Sequence, residues 1–476
     1  MTSFGTLTPA ILEELKAAAG ANNVVAGDKD VLENYASDSA GVCWGHMPDA
    51  VIRPETAGQV SKVMKIASKY RIPVTPRGAG SGLAGAAVPV CGGIVMSMEK
   101  MNHILEIDAL NRVAVVEPGV VTNDLCKAVA EKGFLYAGYP MSTETSFIGG
   151  NFSTNAGGGK VIRYGNTRRH ILGAEVVLAS GEILNLGGRY RKDCWGYSLL
   201  PLLVGSEGTL AIVTKIIVNL EPKPGKIVNL LACFPTLEST VETVAAVVSS
   251  GKKIISCEFF DRFTAKATTD YLGTSLPEQA RSEGYLLIQV EGENDEQLED
   301  AYETVGTICE KSGAFEVFVA ESRTDSNAMW AVRQNCLEGM RNFDPNVCAS
   351  GDIVVPLSQM PEMIRRAQRL SAEWKVPMGM IAHIADGNIH PLPMKPRDMD
   401  VAKWPAFAEE FIEALIAEAV MLGGVGSGEH GVGFIKQPGL LATKTAAEIE
   451  IHRGIKAAFD PQGILNPGKL VFPLND

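Results

Sequence analysis

The stretch Pro76-Arg77-Gly78-Ala79-Gly80-Ser81-Gly82-Leu83-Ala84-Gly85 limits what this chain can fold into more than any other. Glycines at 78, 80, 82 and 85 leave a backbone bare enough to approach an anion and turn its N–H groups on phosphate oxygens. A Rossmann fingerprint would require the last glycine to open a helix, so that a pyrophosphate sits on the helix N-terminus. Here Ala86-Ala87-Val88-Pro89 and Cys91-Gly92-Gly93 follow, then the strand-like Ile94-Val95-Met96-Ser97-Met98. Proline and paired glycines stop a helix, so the loop reads as a nucleotide cradle outside the Rossmann class.

Two later stretches share its character. One is Ile148-Gly149-Gly150-Asn151-Phe152-Ser153-Thr154-Asn155-Ala156-Gly157-Gly158-Gly159; the other is Gly205-Ser206-Glu207-Gly208-Thr209-Leu210, which leads into a β-rich run. Any one of them could be a tight turn. Three, separated by strands, suggest one extended cofactor wrapped by several loops.

At 476 residues the chain exceeds one ordinary core. Before the loop, Thr8-Pro9 starts a helix that Gly20 ends, and residues 1–45 read as a helical leader rather than a signal peptide. Thr56 caps a helix to Tyr70 with Val60, Val63, Met64 and Ala67 on one face. Pro222-Lys223-Pro224-Gly225 is the best boundary. The expected organisation is a cofactor domain over 46–224, a second domain over 225–455 and a tail over 456–476 that returns to the first. Beyond the boundary, helices are expected at 237–249, 295–312, 326–341, 361–374, 405–422 and 446–459. Strands are expected at 227–232, 286–290, 353–355 and 378–383. This is an α+β pattern, an antiparallel sheet with helices on one side.

A formal charge of −12 argues against nucleic acid or an anionic membrane as partner, and no apolar run is long enough to span a bilayer. Nine scattered cysteines without C-x-x-C exclude an iron–sulfur or structural zinc motif and favour reduced thiols in a cytoplasm.

Three of the seven histidines fall in His383-Ile384-Ala385-Asp386-Gly387-Asn388-Ile389-His390 and Gly426-Ser427-Gly428-Glu429-His430-Gly431-Val432-Gly433. If Asp386-Gly387 forms a two-residue hairpin turn, His383 directly opposes His390, with Cβ atoms about 4.5–5.5 Å apart on one face. Two imidazoles so placed can share a metal ion. Glu429 is the natural third ligand, and zinc, iron(II) and manganese all suit such a set. His430 would then be available as a general base. Arg333 could clamp a carboxylate, although a surface arginine is the commoner case.

Pro76-Arg77-Gly78-Ala79-Gly80-Ser81-Gly82-Leu83, Val116-Glu117-Pro118-Gly119, Ile148-Gly149-Gly150-Asn151, Tyr164-Gly165-Asn166-Thr167 and Gly205-Ser206-Glu207-Gly208-Thr209-Leu210 together resemble the FAD domain of the vanillyl-alcohol-oxidase (PCMH-type) flavoproteins. The histidine motifs, with Lys456, Asp460-Pro461 and Ile464-Leu465-Asn466-Pro467-Gly468-Lys469, resemble the cap domain of the FAD-linked D-2-hydroxyacid dehydrogenases. The branch contains glycolate oxidase large subunits, D-lactate dehydrogenases and D-2-hydroxyglutarate dehydrogenases.

The resemblance implies a two-subdomain FAD domain plus an α+β cap. It implies non-covalent FAD held by the 76–83 loop with Pro118, Gly119, Ser142, Thr143, Gly149, Gly150, Ser153, Asn155, Ala156, Gly157, Tyr164, Glu207, Gly208, Ile212 and Asn466. It implies a divalent metal on His383, His390 and Glu429, a substrate carboxylate on Arg333, and His430 taking the hydroxyl proton as hydride passes to the flavin. Electrons would leave to an electron-transferring flavoprotein or an iron–sulfur subunit.

Three departures qualify this. Gly196-Tyr197-Ser198 stands where the family often has Gly-Tyr-Asp, and Tyr139-Pro140-Met141-Ser142 where it often has Asp-Pro. Ser350-Gly351 replaces a lysine found in some diacid-specific members. The last favours D-lactate or glycolate over 2-hydroxyglutarate. A non-catalytic flavin-binding relay subunit is the competing reading, and the intact histidine set speaks against it.

Overall fold

The computed structural model describes residues 4–41, 44–320 and 322–472; Cys43 and the ends of the expected leader and tail lie outside them. The chain divides into two compact units. The first is Met1–Gly157 with Gly165–Lys223 and Glu429–Asp476, the second Gly158–Tyr164 with Pro224–Gly428. The division at Lys223 falls in the proline-rich boundary. The return to the first unit comes at Glu429 rather than 456, because the stretch after Glu429 is bonded to that unit's own loops.

The first unit holds two principal sheets. In one, the strand order is Val24–Ala26, Ala50–Ile52, Ile94–Ser97, Val74–Arg77, the last three mutually parallel. The helix Ala57–Tyr70 is capped by Thr56, whose side chain accepts from the Gln59 N–H. Its Val60, Val63, Met64 and Ala67 pack with Ile11, Leu15 and Ala19 of the helix Pro9–Ala19, so the leader belongs to this core. Strand Val74–Arg77 runs straight into the glycine loop, and no helix separates it from its parallel neighbour Ile94–Ser97. Val74 also pairs with Leu465, and the Asn466 N–H donates to the Val74 carbonyl (2.8 Å), so the C-terminal tail lies along that strand. The second sheet is antiparallel: Ile104–Asp108, Val113–Val116, Ile212–Asn219, Ile171–Val177, Ile183–Gly187.

The second unit is built on a seven-stranded antiparallel sheet. Its order is Glu316–Val319, Lys226–Phe234, Gly284–Gly292, Lys253–Asp261, Met378–His383, Asn388–Pro393, Ile353–Val354. Helices cover both faces rather than the one expected. Leu231, Cys233, Tyr285 and Leu287 pack with Ala265, Met329, Val332 and Met340 of the helices Arg262–Leu272, Arg323–Gln334 and Cys336–Phe343. Leu230, on the other face, meets the helix Asp295–Lys311 at Gly306. The central strands are buried at consecutive positions, Asn229–Phe234 and Gly284–Ile288, which is the pattern of a doubly covered sheet. The single helix expected over 326–341 is two, broken at Asn335, whose side-chain amide turns back to the Ala331 carbonyl (2.8 Å) and competes with the next turn.

Candidate active site

In the first unit the separated glycine stretches come together, and the contacts explain why they are glycine. A Cβ on Gly78 would stand 3.4 Å from the Gly150 backbone, and one on Gly149 would stand 2.5 Å from Pro118 Cβ. A Cβ on Gly208 would meet the Pro76 ring at 2.9 Å, on a backbone with φ +69°. Pro76, Pro118, Gly119, Gly149, Gly150 and Gly208 therefore form one surface. Gly149 and Gly150 lie in a short helix, Ile148–Thr154, rather than in a loop. Asn155 follows in the left-handed region, and Ser153 accepts the Glu207 N–H (2.8 Å).

Several predicted contacts are engaged within the protein itself. Arg77 is buried under the loop, its Nη1 donating to the Ser37 carbonyl (2.8 Å), and burial pulls its pKa down. Ile212 is core, packed with Val74, Ile464 and Leu465. Tyr164, with Gly158 and Gly159, belongs to the second unit. A cavity of about 590 Å³ lies along the loop, lined by Asn34, Tyr35, Arg77, Gly78, Ala79 and Phe147 among others. Asn466 donates to the Ala86 and Glu207 carbonyls (2.9 and 2.7 Å), while its buried Oδ1 has no donor among the described residues. An unmet buried acceptor beside a bare-backbone cradle fits a bound flavin nucleotide.

The loop carrying His430 is tied to the same unit. Glu207 accepts the Val432 and Gly433 N–H groups (2.6 and 2.8 Å), and burial holds its carboxyl above the ordinary value despite them. A side chain on Gly431 would strike Glu207, and one on Gly433 would lie 1.7 Å from the Ala84 carbonyl oxygen. His430 Nε2 is 4.0 Å from Glu429 Oε1. Lys456 locks the C-terminal segment from beneath, donating to Asp460 (2.6 Å) and to the Thr209 and Leu465 carbonyls (2.6 and 2.7 Å).

In the second unit, His383 and His390 do share a face, by a different register from the one expected. His383 pairs with Asn388 and His390 with Ile381, because residues 384–387 form a 3₁₀ turn closed by Gly387 at φ +77° instead of a two-residue hairpin. The rings are therefore diagonal neighbours, edge to face, with centroids 5.3 Å apart.

Two acidic residues missing from the predicted set organise this face. Glu258 lies within 2.8 and 3.0 Å of His383 Nδ1 through its two oxygens, and Asp352 lies 3.7 Å from His390 Nδ1. Asp352 also accepts from Asn388 Nδ2 (2.9 Å), Ser427 Oγ (2.7 Å) and the Gly428 N–H (3.0 Å). That pins the last residues of this unit; Glu429 and His430 are the next two in the chain. Burial pushes the Glu258 carboxyl up, but the nearby His383 and Arg333 outweigh it, so its pKa is lowered.

Arg333 is 3% exposed, and its Nη2 stands 2.7 Å from Glu258 Oε2. That is ion-pair distance, yet neither Nε nor Nη2 has a hydrogen-bond acceptor among the described residues. Contrary to the commoner case, this arginine is not on the surface.

With this geometry in hand, comparison with known proteins assigns the family. Residues 223–470 match the family described as FAD linked oxidases, C-terminal domain, and residues 48–187 match the FAD binding domain family. This chain belongs to the FAD-linked oxidases. Like them it is an FAD-dependent oxidoreductase. The oxidase is 37% identical over 467 residues to the glycolate oxidase subunit GlcD of Bacillus subtilis (strain 168), covering 98% of this chain and 97% of that one. It is 33% identical over 475 residues to D-lactate dehydrogenase of Anaerostipes hadrus, covering 99% of each. Among solved structures it superposes on p-cresol methylhydroxylase with substrate bound at a TM-score of 0.81 and 20% identity, over 98% of this chain and 97% of that one; the likeness is one of fold. No helix among the described residues is long and apolar enough to cross a membrane.

Proposed function

We propose that this oxidase converts a short D-2-hydroxyacid, D-lactate or glycolate, to the 2-oxoacid. The observation that carries the reading is Arg333: a guanidinium at 3% exposure whose Nη2 is paired with Glu258 but whose Nε lacks an acceptor among the described residues, in the unit that presents two imidazoles on one face. Buried N–H groups without acceptors are costly unless a ligand supplies one, and a carboxylate matches a guanidinium fork. Arg333 is the one buried Arg or Lys among the described residues of that unit, which suits one carboxylate better than two.

In this reading His383, His390 and Glu429 would hold a divalent cation; imidazole and carboxylate donors suit zinc, iron(II) or manganese. When bound, FAD supplies a two-electron acceptor and the cation a Lewis acid that acidifies a hydroxyl. The chain's own residues do the rest. Arg333 orients the substrate through its carboxylate. His430, on a loop held by Glu207, accepts the hydroxyl proton. Asp352 keeps the approach to Glu429 in place by bonding Ser427 and Gly428. Electrons then leave to a protein acceptor, an electron-transferring flavoprotein or an iron–sulfur subunit. No disulfide joins the eight described cysteines, in keeping with a cytoplasmic setting.

The test is anaerobic mixing of the purified flavoprotein with D-lactate, glycolate, L-lactate and D-2-hydroxyglutarate, followed by flavin absorbance. Bleaching by D-lactate or glycolate at the lowest concentrations is expected. Bleaching by none would replace this reading with that of an electron-relay subunit, and preferential bleaching by D-2-hydroxyglutarate would overturn the monocarboxylate assignment.

A further inference from the structure

Glu258 is the one acidic residue in the strand Lys253–Asp261 before its terminal cap, and it is fully buried. Its carboxylate meets two side chains from distant elements, His383 Nδ1 at 2.8 and 3.0 Å and Arg333 Nη2 at 2.7 Å, and one from its own strand, Ser256 Oγ at 3.2 Å. We propose that Glu258 is a positioning residue that sets both halves of the substrate site at once, fixing His383 with Nε2 as its ligating nitrogen and holding Arg333 beside it. The proposal rests on the cation and carboxylate roles given to His383 and Arg333 above.

Three physical arguments support it. An ionised carboxylate can only accept, so the imidazole nitrogen facing it must carry the proton, and the lone pair is left on Nε2. Next is charge. A guanidinium and a divalent cation cannot be buried near one another without a compensating anion, and Glu258 is the carboxylate in contact with Arg333 and with the imidazole expected to bind the cation.

The last comes from elsewhere in the chain. The short segment Gly158–Tyr164 leaves the first unit's sequence neighbourhood and joins the second. Gly159 passes so close that a Cβ there would stand 2.9 Å from Glu258 Oε1 and 3.3 Å from Ser256 Oγ. Its bareness therefore serves the glutamate. The sequence grouped Gly159 with the cofactor-wrapping glycines, whereas its closest demand is for room around this carboxylate.

The experiment uses the flavin-loaded protein and its Glu258→Gln variant, which keeps the shape and removes the charge. An amide offers one oxygen and must turn its NH₂ on one of the donors. Cation affinity, measured by competition with a chromophoric chelator, should fall roughly 10–100-fold, with flavin content unchanged. Gly159→Ala should move affinity in the same direction by less. If Glu258→Gln fails to fold, Glu258→Met/Arg333→Met removes both buried charges together and should show the same loss of affinity.

A readout independent of activity and of metal comes from nitrogen-15 spectra of the metal-free protein, with His383 assigned by its disappearance in His383→Gln. Its proton should sit on Nδ1. Wild-type cation affinity in a folded charge-removed variant, or a neutral His383 carrying its proton on Nε2 in the wild type, would overturn the proposal. A wild type that binds no cation would sink the metal reading of the site, while the tautomer would still decide the role of Glu258.

Discussion

The two units solve the same problem, holding a small charged group, with opposite materials. The first unit uses backbone. Gly78 against Gly150, Gly149 against Pro118 and Gly208 against Pro76 are places where absence of a side chain lets four chain segments touch. The second unit uses side chains. Glu258, His383 and Arg333 converge from a strand, a hairpin and a helix that are far apart in sequence, and their placement depends on a doubly covered sheet. A backbone cradle tolerates changes of neighbouring side chains and fails when a Cβ is added. A side-chain cluster tolerates small changes in its loops and fails when one charge is removed.

The largest effect expected from breaking this contrast is chemical. His430→Gln should leave flavin bound, because the cradle does not depend on that imidazole, while flavin reduction by substrate slows about 10²–10⁴-fold. Stopped-flow reduction with flavin content measured alongside checks both halves. If flavin is lost in step with rate, the loop and the cradle are one structure and the contrast collapses. Next in size is Gly433→Ala. The residue has φ +54°, and a Cβ would lie 1.7 Å from the Ala84 carbonyl oxygen. Strain and displacement together should lower the stability of the first unit by about 3 kcal/mol, read in urea unfolding followed by flavin fluorescence. An unchanged midpoint would show that the 429–433 loop can lift off the glycine stretch at no cost.

The same contrast explains what could be read in the sequence. Glycine marks a backbone demand in its own identity, so the wrapping segments were visible one by one, as was the replacement of a Rossmann helix by strand after the loop at 76–85. The helix Ala57–Tyr70 was legible from its cap and its apolar face. The two histidines on one face were anticipated through a turn that does not form. A 3₁₀ turn moved the register, and the conclusion survived because residues 381 and 383 alternate back to the same side. Glu258 and Asp352 were missed because a single carboxylate carries no local pattern. The one available sign was an acid inside the apolar run Lys253–Asp261, where an unpaired charge would not be tolerated. Glu207 was expected at the cofactor through its motif; what the motif did not reveal is that its side chain accepts the Val432 and Gly433 N–H groups.

Asp38 offers the smallest and sharpest test, because it is the place where a side chain intrudes on the backbone cradle. Its carboxylate accepts the Ala40 N–H at 3.0 Å, and a Cβ on Gly82 would stand 3.6 Å from its Oδ2, so one acid lies against the glycine stretch. Burial pushes its carboxyl up to about 6, against the lowering pull of that N–H and of Arg77 and Lys469. The sign follows from linkage. A folded-state pKa above the unfolded value of about 3.9 means the folded protein holds the proton more tightly. Stability from this group is therefore greatest below pH ~4, declines as pH rises towards ~6, and is flat above that. Asp38→Asn cannot ionise. It should flatten this part of the profile and leave the first unit more stable than wild type at pH 7.5 by about 1 kcal/mol, after allowing for an N–H left with a poorer acceptor. Asp261, which caps the helix Arg262–Leu272 in the second unit and is likewise pushed up to about 6, serves as the internal control. Urea midpoints at pH 4.5 and 7.5 are taken in a Trp44→Phe/Trp195→Phe background, which leaves tryptophans only in the second unit; Asp38→Asn should then shift the flavin signal of the first unit and not the tryptophan signal. Parallel profiles for wild type and variant would mean that Asp38 is already ionised in the folded state, and that a charge lies against the glycine stretch.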